Sequence, residues 1–259
     1  MDESSINLNK HFAIPPIRRI APGRPFTWLK RGWQDLAGNP AASLVYGVFL
    51  AVVGYLILVY ASPRPYLFTV AISGFLLIGP LTAAGVYEIS RQAESGRRTG
   101  FLESLQGLAR HRDSLLHFGI LLALMLVVWE RISAIMFALF YSDRVPDLAN
   151  FYRDVFFSGD YLQFVTAYVL AGGLIACIVF SISVVSIPMM MDRDVDIMTA
   201  MATSARAATG NPLAMLVWGI LLVTLVLIGF ATMMIGAVIL LPLLGHATWH
   251  AYRDLLEHE

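Results

Sequence analysis

Gly38-Asn39-Pro40-Ala41-Ala42-Ser43-Leu44-Val45-Tyr46-Gly47 and Gly210-Asn211-Pro212-Leu213-Ala214-Met215-Leu216-Val217-Trp218-Gly219 share a Gly-Asn-Pro junction followed, at the same spacing, by Leu-Val-aromatic-Gly. Before each junction lies a polar stretch with helical amphipathicity; after it lies an apolar run long enough to cross a bilayer. Self-similarity of this kind decides a fold before single elements do. Working outward, one plan reads three times: a short amphipathic helix, a helix-breaking junction, then an apolar hairpin. The copies run over about 28–92, 101–191 and 196–255. Pro40 and Pro212 suit the first turn of the following helix, where a missing N–H does no harm. The second copy departs from the others, with Arg110-His111-Arg112-Asp113 in place of Gly-Asn-Pro.

Apolar residues make up 58% of the chain and charged residues 14%, and mean hydropathy is +0.69. A soluble domain carries about a quarter charged residues. The charge that is present clusters between long apolar blocks, which is the segmentation of a polytopic membrane protein. Windows near the ~20 residues a span requires fall at 42–61, 66–87, 115–140, 161–190, 213–231 and 233–252, with the last turn held between Phe230 and Gly236. Pro80, Pro188 and Pro242 each stand near the end of an even-numbered span. The expected fold is therefore all-α: a six-helix membrane bundle of three tandem hairpins with short interfacial helices, forming one domain over 28–255 behind a flexible arm at 1–27. That arm has no apolar signal-peptide core, so the first span is expected to serve as its own insertion signal.

Basic residues set the orientation. The N-terminal arm and first lead helix hold Lys10, Arg18, Arg19, Arg24, Lys30 and Arg31, and the loop after span two holds Arg91, Arg97, Arg98, Arg110 and Arg112. With Arg193, Arg206 and Arg253 these make fourteen of the eighteen basic residues. Arg64, Arg144 and Arg153 remain for the other face, beside Asp143, Asp147, Asp154 and Asp160, with Arg131 in or next to span three. Both termini are expected in the cytoplasm. Trp28, Leu29, Trp33 and Leu36 fall on one face of the first lead helix, opposite Lys30, Arg31, Gln34 and Asp35, the pattern of a helix lying among lipid headgroups. Phe101, Leu102, Leu105 and Leu108 repeat it. The third lead, around Met198 to Ala208, is small and weakly amphipathic and suits packing on protein.

Few residues invite chemistry. Glu130 and Arg131 fall near the middle of the third span, where ionisable groups are costly and mark function. Alternatively the helix leaves the hydrocarbon at Trp129, and the two pair with each other or with Asp143 or Arg144. Glu130 stands nearly alone among carboxylates along the spans, whereas a proton-coupled transporter buries several. His246 and His250 share a helix face at the spacing that lets two imidazoles meet one metal ion, with His117 as the nearest third donor. Two ligands do not make a site, so both are read as bonding to loop groups, and no metal or cofactor is expected. Asp192-Arg193-Asp194-Val195-Asp196 follows Pro188-Met189-Met190-Met191. Asp194 or Asp196 suits a helix cap and Arg193 an ion pair; the alternative is a docking surface formed by Asp192, Arg193, Asp194 and Asp196. Met198, Met201, Met215, Met233 and Met234 read as packing filler, and Cys177, the single cysteine, as a small core residue. No His-Glu-x-x-His, Gly-x-Ser-x-Gly, Walker or Cys-x-x-Cys motif occurs, and no enzyme is expected.

The stretches Ser186-Ile187-Pro188-Met189-Met190-Met191-Asp192-Arg193-Asp194-Val195-Asp196 and Leu241-Pro242-Leu243-Leu244-Gly245-His246-Ala247-Thr248-Trp249-His250-Ala251-Tyr252-Arg253 resemble the signature segments of a bacterial family of uncharacterised integral membrane proteins, a domain of unknown function. Some members carry the label "cytochrome c oxidase subunit I-like". The resemblance runs from about Trp28 to Leu255 and implies a proteobacterial inner-membrane protein without an assigned activity or catalytic residue. An oxidase core resembling that subunit needs about six intramembrane histidines on about twelve spans. Here only His117, His246 and His250 lie near spans, and His11, His111 and His258 lie outside them, so the ligand count fails. The function expected is a non-catalytic scaffold or an accessory or assembly protein beside another inner-membrane complex, with that complex and the lipid bilayer as partners and no nucleic acid. The alternative is a small-solute or lipid transporter holding Glu130 and Arg131 in an internal cavity. Tandem pairs of one orientation form no inverted repeat, which sets them apart from many transporters. Reporters fused to the two ends are expected to be active only in the cytoplasm; activity of either one on the opposite face would refute the topology.

Overall fold

The computed structural model describes residues 15–61, 65–140 and 162–257. The described residues form α-helices α1 (Arg24–Gly38), α2 (Pro40–Ala61), α3 (Pro65–Thr82), α4 (Ala84–Glu94), α5 (Phe101–Arg110), α6 (Arg112–Phe140), α7 (Leu162–Ser183), α8 (Ser186–Asp192), α9 (Ile197–Gly210), α10 (Pro212–Ala231) and α11 (Ala237–Leu255). No strand occurs among them; one isolated antiparallel bridge joins Ile17 to Leu256. The loop expected between spans three and four, with Asp143, Arg144, Asp147, Arg153, Asp154 and Asp160, lies outside the described residues. So do Lys10, His11, Arg64 and His258.

Five segments are long and apolar enough to cross a membrane: Pro40–Tyr60, Ala71–Glu94, Arg112–Phe140, Leu162–Asp192 and Pro212–Ala231. The window expected as a sixth is occupied by α11, which departs from that standard for a physical reason. Its first half, Ala237 to Leu244, is apolar, while its second half carries His246, His250, Arg253 and Asp254 and is enclosed by protein. The turn between α10 and α11 covers residues 232–236, with Met233 and Met234 at φ 51° and 67°. Such backbone is rare outside glycine. It is held here by the Met234 N–H donating to the Gly229 carbonyl at 2.8 Å, with the Met234 side chain buried.

Burial is uneven along the helices. Of the most apolar window in Arg112–Phe140, only 17% is buried inside the protein, so most of its leucines and valines face outward, as hydrocarbon solvent permits. By contrast, each proline-bearing helix runs on into a fully buried stretch. α4 is buried from Ala84 to Ser90, residues 183–191 are buried around α8, and α11 is buried from Leu244 to Tyr252. These three ends contact one another, and each packs against a lead helix: α4 on α5, α8 on α9, and α11 on α1. The last pairing closes the ring by joining the two ends of the chain. Residues 16–20, within the stretch expected as a flexible arm, are tied down there. Arg18 N donates to Leu255 O at 2.8 Å and Ile20 N to Asn211 Oδ1 at 2.9 Å.

The lead helices differ from expectation in what they face. Trp28 is 0% exposed and Leu36 is buried, and with Pro25 and Gly32 they form the face of α1 that meets α11. The Trp28 ring lies edge-on to Trp218 at 5.6 Å. Trp33, 52% exposed, and Phe26 are left on the outside with Lys30. The headgroup pattern read over Trp28, Leu29, Trp33 and Leu36 is thus corrected: a protein neighbour takes the Trp28–Leu36 face. α9 packs its small residues Ala200, Thr203, Ser204 and Ala207 inward.

Small residues make the α11 contact close. A methyl at Gly32 would lie 2.7 Å from Ala247 N, and one at Gly47 would overlap the carbonyl of Val238. Close backbone approach of this kind is the main source of helix association in lipid. Gly47→Ala is therefore expected to destabilise by about 1–3 kcal/mol through overpacking. Gly219→Ala on α10, where nothing lies within 4 Å, is expected to be neutral or to stabilise by up to about 1 kcal/mol. Thermal unfolding of the two variants in detergent checks the contrast, and equal shifts would show the α11 contact to be loose.

Candidate functional site

The second half of α11 presents polar side chains to four other helices. His246, fully buried, lies between two serines: Nε2 is 2.9 Å from Ser43 Oγ of α2, and Nδ1 is 2.7 Å from Ser90 Oγ of α4. Ser90 Oγ also donates to Asp35 Oδ2 of α1 at 2.6 Å, and the same oxygen is 2.9 Å from His250 Nε2. Because the Ser90 proton goes to the Asp35 carboxylate, Ser90 must accept from His246 Nδ1–H. His246 Nε2 is then an acceptor, and the Ser43 proton is shared between it and the Asn39 carbonyl at 2.8 Å. Burial alone would raise the Asp35 pKa. The hydrogen bonds from His250 and Ser90 outweigh it and hold the carboxyl below its ordinary range.

The rest of α11 is fastened the same way. Asp254 Oδ2 accepts from Arg24 Nε at 2.7 Å and from Trp28 Nε1 at 2.9 Å. Trp249 Nε1 and Arg253 both reach Glu94 of α4, at 3.1 and 3.0 Å. Tyr252 donates to Asp192 Oδ2 at 2.7 Å. A separate knot forms around Glu88 of α4, whose side chain is 1% exposed. It accepts from Arg91 through both carboxylate oxygens at 2.8 Å, from Gln92 at 2.7 Å and from Arg110 of α5 at 3.3 Å. The expectation that Glu130 stood nearly alone among carboxylates along the spans is corrected here, since Glu88 is the more deeply buried.

A groove of about 680 Å³ opens beside Glu88 between α4 and α5. Its walls are Glu88 and Gln92 on one side, the Arg97–Thr99 link, and Glu103, Gln106 and Arg110 on the other. Glu130 and Arg131 lie on α6, outside this groove, and pair with each other at 3.3 Å; the Arg131 side chain is 76% exposed and that of Glu130 23%. His117 is exposed and sits 2.6 Å from the Asp113 carbonyl, one turn back on its own helix. Among the described residues no group of three or more His, Cys, Asp and Glu side chains is placed to hold a metal ion. Asp196 caps α9 by accepting from Thr199 N at 3.0 Å, while Asp192 and Arg193 are turned onto Tyr252. Asp194 is exposed.

His246 and His250, expected to bond to loop groups, bond instead to side chains of neighbouring helices, and Asp35, Ser43, Ser90 and Glu88 were not among the candidate residues. Asp35 carried a signal: it adjoins Leu36 and lies one turn from Gly32, next to the face that turned out to be buried. Ser43 and Ser90 gave none, since lone serines among small apolar residues are common in membrane helices.

Residues 67–192 match a family model described as "Predicted integral membrane protein (DUF2189)". The matched stretch takes in α4 to α8, including the Ser186–Asp192 part of the first signature segment, and ends before the Leu241–Arg253 segment. It agrees with the resemblance to uncharacterised integral membrane proteins. No curated protein and no solved structure matches the chain. The chain is an integral membrane protein with several apolar helices.

His246→Ala would remove the ring that partners Ser43 and Ser90 and leave a cavity between four helices, and is expected to lose about 2–4 kcal/mol. Asp35→Asn is expected to cost about 1–2 kcal/mol at neutral pH. The Asp35 carboxyl is depressed in the folded protein, so its contribution is complete above about pH 3.9, the unfolded value. It is lost as pH falls through the lower folded value. Unfolding midpoints measured from pH 7 down to pH 3 should therefore fall less steeply in Asp35→Asn than in the wild type; parallel profiles would remove Asp35 from the acid response.

Proposed function

We propose that the chain is a non-catalytic scaffold or accessory protein of the bacterial inner membrane, whose cytoplasmic end forms a rigid platform for another membrane complex. One observation carries the reading. The side chains that could do acid–base or nucleophilic chemistry, Asp35, Ser43, Ser90, His246 and His250, are spent on one another between four helices, and Ser43, Ser90 and His246 are 0% exposed. A nucleophile needs a substrate within about 3–3.5 Å, and the two serine hydroxyls and the His246 ring have no exposed surface for one to reach.

In this reading α11 completes six spans as three tandem pairs, its apolar half lying against α2 and α10, so both termini are cytoplasmic. The repeat is supported by the two junctions. Asn39 and Asn211 take nearly the same backbone, φ −139° and ψ 62° against φ −132° and ψ 53°. Each also clamps the segment leading into another helix pair: Asn39 Nδ2 donates to Thr99 O at 2.6 Å and Asn211 Nδ2 to Arg18 O at 3.0 Å. The docking face is built from Asp194 and the exposed side of α9 around Met198.

Native electrophoresis of gently solubilised membranes tests the platform. The chain is expected to migrate within a larger assembly that Asp194→Arg with Met198→Glu disperses, with the unfolding midpoint of the isolated protein unchanged. Glu130→Gln is expected to leave both assembly and growth intact. Migration as a free particle in native membranes, or loss of a solute flux on Glu130→Gln, would overturn the proposal and favour the transporter.

A further inference from the structure

We propose that the groove between α4 and α5 binds the phosphate of an anionic phospholipid, with the acyl chains lying along α5. The site goes beyond the platform reading and stands whether or not a protein partner docks elsewhere.

The groove is cationic by construction. Four arginines surround it, Arg97, Arg98 and Arg110 in its wall and Arg91 behind, against two carboxylates, Glu88 and Glu103. Neither carboxylate is available to neutralise Arg97 or Arg98. Glu88 is saturated by Arg91 and Gln92, with Arg110 in addition. Glu103 turns back to its own helix, accepting from Gly100 N at 3.0 Å. Arg97 and Arg98 are exposed and have no ion pair among the described residues. Guanidinium forks, with the Gln106 amide and the Thr99 hydroxyl beside them in the groove wall, suit the several acceptor oxygens of a phosphate.

The groove is held open by its own packing. α5 comes close to α4 because residue 107 is glycine, where a methyl would stand 2.5 Å from the Glu88 carboxyl carbon. One turn earlier on the same buried face, α5 is pinned by the 2.8 Å hydrogen bond between Ser104 and Tyr46 and by the edge contact of Phe101 on the Tyr46 ring at 4.9 Å. Arg110 thereby reaches Glu88 from across the groove.

The apolar flank selects a lipid over a free phosphate. Leu102, 72% exposed, Leu105 and Ala109 form an exposed stripe on α5 directly beside Gln106 and Arg110. α5 also joins the ends of two membrane-crossing segments, Ala71–Glu94 and Arg112–Phe140. Headgroup charge on the arginines and hydrocarbon on the leucines would satisfy both surfaces at once. A soluble phosphate would use only the first.

Thermal unfolding of the full chain in a neutral detergent, with phosphatidylglycerol, phosphatidylcholine or inorganic phosphate titrated in, tests the site. Phosphatidylglycerol is expected to raise the wild-type midpoint saturably, and phosphatidylcholine to leave it unmoved. Arg97→Gln with Arg98→Gln should weaken the phosphatidylglycerol response about tenfold or more, each basic residue near a lipid surface being worth roughly a factor of five. Replacing both by lysine should restore most of it. Leu102→Ser with Leu105→Ser should weaken the lipid response as well. The lipid-free midpoint of each variant serves as the folding control, which these exposed positions are expected to pass. Equal responses to the two lipids, or an unweakened response in the double glutamine variant, would overturn the site. Saturation by inorganic phosphate at the concentrations at which the lipid acts would overturn the lipid as its ligand.

Discussion

Lipid tails are as apolar as leucine, so helices in hydrocarbon gain little by burying leucine against leucine. That constraint explains where this protein is held together. Its membrane-crossing segments keep most of their large aliphatic side chains on the outside, and its fully buried residues gather where the helices leave the apolar zone. Cohesion there comes from an apolar core that includes Trp28, Ile187, Met190, Trp249 and Leu255, from backbone approach at Gly32, and from hydrogen bonds largely shielded from water. The low local dielectric that strengthens each such bond also makes an unpartnered group expensive. The Asp35–Ser90–His246–Ser43 chain is accordingly satisfied at every member.

The same end accounts for the order of the chain. Each buried end of a proline-bearing helix leans on a lead helix, and for α11 that helix is α1, more than two hundred residues earlier. The contacts of α11 with α1, the Ile17–Leu256 bridge and the Asn211 clamp on residues 18–20 all join first to last. Local hairpins can form as the chain inserts, but the polar network assembles only once the final helix arrives. Asp35 and Ser90 then cease to be isolated polar groups in an apolar setting.

Much of this was legible in the residues. Hydropathy located five segments closely, because a lipid-facing helix needs an unbroken apolar run and nothing else. The Gly-Asn-Pro junctions were legible because glycine, asparagine and proline each restrict backbone in a way that two copies repeat. What failed was reading by amphipathicity. Trp28 and Leu36 looked like headgroup anchors, since a face meant for protein and a face meant for an interface carry the same residue types. α11 differs in another way: its polar second half, expected to bond to loop groups, is wrapped by α1, α4 and α8. Polar residues buried against protein lower hydropathy as much as exposed ones do. Glu88 was overlooked for a related reason. Its partners Arg91 and Gln92 follow within one turn, where a carboxylate and a guanidinium in sequence do not reveal that the carboxylate is buried.

The resemblance of the Asp35–Ser90–His246 chain to a nucleophilic relay is of composition and not of role. In a catalytic relay the serine proton must be free to move to the imidazole while the serine oxygen attacks a substrate. Here Ser90 gives its proton to Asp35, and its oxygen receives the Nδ1 proton of the ring. Ser43, on the other ring nitrogen, is bonded to the Asn39 carbonyl of its own helix. Both hydroxyls are fully buried. Three hydrogens serve four contacts, and the shared one lies at Ser43, beside the Asn39 junction where α1 passes into α2. The network thus reads the relative placement of α1, α2, α4 and α11 through one imidazole. Withdrawing any one of those helices would leave a polar group buried without a partner. The apolar core beside it supplies burial, and this network adds the directional contacts that select a single arrangement.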